Sequence, residues 1–181
     1  MHDAHQGQVL LRLAREAIAA QFGAPLHAAP EEDWLQQPGA TFVTLTEKGQ
    51  LRGCIGSLEA CRPLIEDVRA NAVAAAFGDP RFAPLHAIEF SHIHIEVSLL
   101  TAPSTMHFTD EADALAQLQP WVDGVIFEYT HHRSTFLPQV WEQLPAPATF
   151  MSQLKRKAGL PGDFWSPEVK LSRYLVEKWK E

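Results

Sequence analysis

The chain has 181 residues, 46% hydrophobic and 20% charged, with a formal net charge of −7. That length suits one domain, or two small lobes sharing a core. The negative balance argues against broad binding to nucleic acid or to an anionic membrane, and no run approaches the roughly 18 apolar residues of a membrane span.

The charge is uneven: from Lys155 to Glu181 seven basic residues outnumber four acidic ones, which leaves room for a small basic patch. The two cysteines, Cys54 and Cys61, are not spaced as a C-x-x-C pair and make no disulfide framework. The start, Met1-His2-Asp3-Ala4-His5, is polar and lacks an apolar h-region. These features point to a reducing, cytoplasmic setting with both thiols free.

Gln8 to Phe22 repeats apolar residues at helical spacing (Val9, Leu10, Leu13, Ala17 and Ile18), and Gly23 with Pro25 ends that helix. Residues 24–39 hold three prolines and read as a surface connection anchored by Trp34. Thr41–Thr46 and Leu51–Leu58 read as the strands of a hairpin turned at Glu47-Lys48-Gly49. Strand alternation puts Leu51, Gly53 and Ile55 on a core face, and Arg52, Cys54 and Gly56 on the other. Glycine inside a strand weakens it and marks a bulge or a close approach to the backbone, for which a ligand is one reason.

Pro63 suits the first turn of a second helix whose buried stripe is Ile65, Val68, Ala72, Ala75 and Ala76. It ends at Phe77-Gly78, and Asp79-Pro80-Arg81-Phe82 makes a turn. Ser91 to Leu100 alternates as a strand, with Ile93, Ile95, Val97 and Leu99 on one face and His92, His94, Glu96 and Ser98 on the other. Thr109 is the expected N-cap of a short helix reaching Leu118. Val122 to Tyr129 reads as a strand, His131-His132-Arg133-Ser134 as a polar connection, and Phe136 to Trp141 as a helical turn or two. Ala148 to Ala158 is a helix closed by Gly159, and Val169 to Trp179 reads as one strand. Helices and strands mix without regular βαβ alternation, so the expected class is α+β, with a mainly antiparallel sheet flanked by helices.

Five segments, in order, carry a resemblance: Leu51-Arg52-Gly53-Cys54-Ile55-Gly56-Ser57-Leu58; Asp79-Pro80-Arg81-Phe82-Ala83-Pro84-Leu85; Ile95-Glu96-Val97-Ser98; Thr135-Phe136-Leu137-Pro138-Gln139-Val140-Trp141; and Lys157-Ala158-Gly159-Leu160-Pro161. The chain resembles the AMMECR-domain family, whose bacterial form is component A of the AmmeMemoRadiSam system. The resemblance implies a larger and a smaller lobe with a cleft near the glycine-cysteine motif. It also implies partners, a Memo-like protein and a radical SAM protein. It supplies no reaction and no cofactor.

Within that frame Cys54 is the candidate nucleophile or covalent acceptor. The thiolate is the reactive form of cysteine, and a neighbouring Arg52 would favour it. The plain alternative is a small buried apolar group. Glu96 is the candidate acid or base, and a candidate partner for Arg52. Gly53, Gly56 and Ser57 would bring bare backbone and a hydroxyl to a substrate, with N–H groups for an oxyanion. Arg81 and Arg133 would add guanidiniums for a carboxylate or phosphate, although Arg81 is also placed to pair with Asp79 inside its turn. His92, His94 and Glu96 share a strand face, but residues two apart do so on any polar strand, and no metal is assigned to them. Lys155-Arg156-Lys157 reads as a solvated helix face. The expectation is an enzyme or substrate-handling component. The alternatives are a non-catalytic adaptor for the partners above and an RNA-modification or translation-related factor.

Overall fold

The computed structural model describes residues 3–181 and divides them into two compact units. The first comprises the chain up to Leu100 together with Glu177–Glu181, and the second comprises Thr101–Val176. The fold is α+β, with an antiparallel sheet in each unit.

The first unit opens with helix α1 (Ala4–Gln21), capped by Asp3, whose carboxylate accepts the backbone N–H groups of His5 and Gln6. A short helix α2 (Asp33–Gln36) follows, and fully buried Leu35 is its anchor, with Trp34 packed beside the core. Strands β1 (Pro38–Glu47) and β2 (Gln50–Gly56) form the expected hairpin. Its two-residue turn has Lys48 at φ 51° and Gly49 at φ 76°, the left-handed pair that matches strand twist. Then come β3 (Arg62–Pro63), helix α3 (Leu64–Phe77), helix α4 (Ala87–Phe90) and strand β4 (Ile93–Leu100). The sheet order is β2-β1-β4-β9, where β9 (Val176–Lys180) returns from the far end of the chain, and β3 pairs with the start of β1. Helices α1 and α3 cover one face. Leu10, Leu13 and Ile18 of α1 and Val68 and Ala72 of α3 bury against Val43, Leu45, Ile95 and Val97.

The second unit has the sheet β5-β8-β6-β7, built from β5 (Ser104–Thr105), β6 (Gly124–Tyr129), β7 (His132–Phe136) and β8 (Lys170–Tyr174). Helix α5 (Glu111–Gln117), a 3-10 turn at Pro138–Glu142 and helix α6 (Pro147–Lys157) complete it. Its own core gathers Phe127, Trp141, Phe150, Leu154 and Leu171, with Trp141 stacked on Phe150 at 3.7 Å between ring centres.

Four sequence expectations change here. His132–Ser134 is not a polar connection but the start of β7, hairpinned to β6 through a turn in which Thr130 takes φ 51° without a glycine. Two of its polar residues, Ser134 and Thr135, are buried and bond inward: Ser134 Oγ donates to the Leu154 carbonyl at 2.6 Å, and Thr135 meets the Tyr174 hydroxyl at 3.0 Å. The single strand expected from Val169 to Trp179 is two, β8 and β9, parted at Leu175, whose N–H donates to Thr101 Oγ1 at 2.8 Å. Asp110, not Thr109, caps α5 through the Asp113 N–H. The basic run of α6 is not solvated throughout: Lys155 is buried in an ion pair with Glu111, and Lys157 donates to the Thr135 carbonyl at 2.8 Å. Among the described residues, no helix is long and apolar enough to cross a membrane.

Candidate functional site

The register of the β1–β2 hairpin slips once. Leu45 pairs with Gly53 but Thr46 pairs with Leu51, so Arg52 is the extra residue of a β-bulge. The bulge breaks the simple alternation. Leu51 leaves the core face expected for it and is exposed, while Gly53 stays buried. Arg52 turns toward α4, where its Nε and Nη2 grip the Glu89 carboxylate at 2.9 and 3.2 Å. The guanidinium and then the His86 N–H hold the Glu89 carboxyl below the usual carboxylate range. Arg52 is therefore the partner of Glu89 and not of Glu96. Its remaining nitrogen, Nη1, is buried with no hydrogen-bond partner among the described residues.

On the sheet face away from α1 and α3, three strands bring three residues into one row. Thr44 of β1 lies opposite Cys54 of β2 on one side and Glu96 of β4 on the other. Thr44 Oγ1 donates to Cys54 Sγ at 3.3 Å. Cys54 and Glu96 are thus two strand spacings apart, roughly 10 Å between backbones, on one face with Thr44 between. Both are half-buried. Rows on either side carry Gly56, Phe42 and Ser98, and Leu51, Thr46 and His94.

A second segment closes on the same cysteine. β2 is an edge strand, and at Cys54 its outer backbone groups are met by the Asp79–Arg81 pair. Asp79 Oδ2 accepts the Cys54 N–H at 2.9 Å, and Arg81 Nη2 donates to the Cys54 carbonyl at 3.3 Å. The two side chains also bond one another, Arg81 Nε to Asp79 Oδ1 at 3.0 Å and Nη2 to Oδ2 at 2.8 Å. Arg81 and the Cys54 N–H depress the Asp79 carboxyl far below its ordinary value. The guanidinium beside the cysteine is that of Arg81, which sequence parity alone assigns to Arg52. Because Asp79 occupies the Cys54 N–H, that group is closed to an oxyanion.

The two glycines have partners inside the chain. A Cβ on Gly53 would strike the backbone carbonyl of Ala75, so the glycine lets α3 lie against β2. A Cβ on Gly56 would enter the ring of Phe42, which covers it from the neighbouring strand. Ser57 belongs to a buried polar cluster. Its Oγ donates to Asp67 Oδ1 at 2.6 Å, and Asp67 also takes Thr41 N–H and Oγ1 at 2.7 Å each, Arg62 Nε at 2.9 Å and Asn71 Nδ2 at 3.0 Å. With both its oxygens occupied, Asp67 fixes the end of the motif to α3.

Arg133 lies in the second unit, where its Nε donates to its cross-strand neighbour Glu128 at 3.1 Å. His92 Nδ1 meets the Ile88 carbonyl at 3.0 Å, away from a shared centre with His94 and Glu96. Among the described residues no group of three or more His, Cys, Asp or Glu is arranged to hold a metal ion. Sequence reasoning missed Thr44, Asp67, Asn71 and Glu89. Thr44 was within reach by alternation along β1. Asp67 and Asn71, four apart beside the apolar stripe of α3, were the visible sign of a buried polar pair.

Comparison with known proteins places these residues in a family. The sequence pattern of the AMMECR1 family matches residues 11–179. A protein of Methanothermobacter thermautotrophicus is 38% identical over 181 residues, covering 97% of this chain and 94% of its own. One from Methanopyrus kandleri is 33% identical over 187 residues, covering 97% and 88%. The crystal structure of an uncharacterised protein from Pyrococcus horikoshii superposes with a TM-score of 0.79 at 30% identity, over 99% of this chain and 93% of that one.

Proposed function

We propose, for a chain that belongs to the AMMECR1 family, that its first unit carries a thiol-dependent site for an anionic small molecule. Cys54 is its nucleophile or covalent acceptor. The observation that carries this reading is the in-register row Cys54–Thr44–Glu96, with the Arg81 guanidinium fixed at the cysteine's own peptide. Thr44 orients the sulfur through its hydroxyl. Arg81, whose side chain is still 55% exposed, offers its outer edge to a carboxylate or phosphate. Glu96, two strands away, is the acid or base for the far end of a bound substrate. In the covalent step the sulfur forms a bond to an electrophilic carbon, the leaving group departs with the electrons of the bond it loses, and the thiol proton passes to it. The Memo-like and radical SAM proteins implied by the family are the proposed company, supplying or removing that substrate. The packing of α3 over Gly53 and of Phe42 over Gly56 favours this reading over an adaptor surface built on bare glycine backbone.

The test uses the full chain, with Cys61, the exposed second cysteine, as internal reference. Each thiol is followed by peptide mass spectrometry under iodoacetamide and under the anionic reagent iodoacetate. The expected result is a several-fold preference for iodoacetate at Cys54 relative to Cys61, abolished by Arg81→Ala. Native Cys54 that reacts with neither reagent, yet reacts fully in denaturant, would sink the proposal.

A further inference from the structure

The positive charge that gathers toward the end of the chain is only partly engaged. Lys155 pairs with Glu111, Lys157 bonds to the Thr135 carbonyl, and Arg173 Nη1 donates to the Gln117 carbonyl at 2.9 Å. Lys178 and Lys180 of β9 are exposed and form no ion pair among the described residues. Their place in the sheet is fixed by the Glu181 N–H, which donates to the Ile95 carbonyl at 3.1 Å. In an antiparallel pair, positions bonded across the ladder alternate with positions whose backbone groups point away from it. Glu177 and Trp179 therefore turn their backbones to β4, while Lys178 and Lys180 turn their N–H and C=O groups outward. β9 ends the sheet order, and these outward groups have no hydrogen-bond partner among the described residues.

The other sheet edges are covered or short. β2 is met by the Asp79–Arg81 pair at Cys54, and β7 by Lys157 at the Thr135 carbonyl. β5 is only two residues long. β9 is also held firm, because Glu181 receives the Arg15 Nε and Ile95 N–H groups and Trp179 packs against the core. An open, firmly held edge is a template for an added strand.

The side chains say which strand. In the register set by Glu181, Lys180 stands across from Glu96 and Lys178 across from Ser98, on the sheet face away from α1 and α3. Trp179 lies on the opposite face, between Glu177 and Glu181. A second copy pairing here would set lysine against lysine, which is destabilising. We propose that the β9 edge docks an extended segment of a partner protein in which acidic residues alternate with apolar ones. The acids lie beside Lys178 and Lys180, and the apolar residue between them lies beside Trp179. The lysines thus bar self-association and select the partner by charge. This inference is independent of the Cys54 reading.

The probe is a fluorescein-labelled heptapeptide, Gly-Val-Glu-Val-Glu-Val-Gly, titrated into the full chain by fluorescence anisotropy. Three control peptides separate the causes: one with lysine for each glutamate, one with the two glutamates adjacent, and one N-methylated on both glutamates, which cannot extend the ladder. Wild type is expected to bind the probe saturably and each control at least tenfold more weakly. The double variant Lys178→Glu with Lys180→Glu is expected to reverse the preference between the glutamate and lysine peptides. In the complex, amide exchange at Lys178 and Lys180 is expected to slow at least tenfold, with Glu177 and Trp179 unchanged. Absence of saturable binding in the millimolar range overturns the proposal. So does an N-methylated peptide that binds like the probe, since contact is then by charge alone. Equal binding of the lysine peptide overturns the acidic partner, and equal binding of the adjacent-glutamate peptide overturns the alternating one.

Discussion

Replacing Gly53 by alanine would drive a methyl group into the Ala75 carbonyl, and backbone on both sides leaves little to yield. Overpacking of this kind costs about 1–3 kcal/mol, so a urea melt of Gly53→Ala should show a loss in that range with an unchanged slope. Lys48 presents the opposite case. It sits at φ 51° in the hairpin turn, where asparagine is better suited. Lys48→Asn should therefore stabilise by about 0.5–1 kcal/mol, read as a higher urea midpoint. Sequence alone marked Gly53 as a place where something comes close, and it does. The visitor, a carbonyl from a helix more than twenty residues away, depends on tertiary packing that strand alternation cannot report. Arg52 is the sharper lesson. Parity is reliable only while the register holds, and one extra residue in β2 sends its guanidinium to Glu89 and leaves Arg81 at the cysteine.

At the level of elements, the Asp79–Arg81 pair acts as a one-residue strand against the edge of β2. It supplies an acceptor and a donor where a neighbouring strand would, and so covers the exposed edge. The turn Asp79-Pro80-Arg81 and its internal pairing were legible, but its docking target was not, since nothing in the local sequence names Cys54. The depressed carboxyls of Asp79 and Glu89 set the direction of the acid response. A carboxylate whose folded pKa lies below its unfolded one, near 4, stabilises fully above that unfolded value. Its contribution is lost as pH falls toward the folded value. Wild type should lose stability from pH 5 to pH 3. Asp79→Asn should be less stable at pH 7, and its deficit should shrink on acidification, as measured by urea midpoints at pH 7 and pH 3. A deficit that stays constant with pH would assign the loss to packing instead of charge.

For the molecule as a whole, the first unit depends on residues from both ends of the described chain. Trp179 packs on Gly7 of α1, where any side chain would collide with its ring. Glu181 receives the Arg15 Nε hydrogen bond at 2.6 Å and the Ile95 N–H at 3.1 Å. Trp179→Ala should destabilise this unit by about 3 kcal/mol, the low end for deleting a large aromatic, because the side chain is only partly buried against the core. Circular dichroism during denaturation should show that loss. The α+β class and most elements were readable from periodicity. The split of the last strand between two sheets was not, because β8 and β9 continue one alternating pattern and only Thr101, bonded across to Leu175, marks the break.

That split has a consequence for how the chain is made. Residues 101–176 form an uninterrupted stretch with its own core, whereas the first sheet draws its final strand from chain translated after that stretch. Synthesis proceeds in one direction, and domains fold as units. The later-made unit is therefore the first whose full set of parts is present. Until β9 is delivered, β4 is left as an open edge on the nascent protein, the condition under which a strand recruits the wrong neighbour.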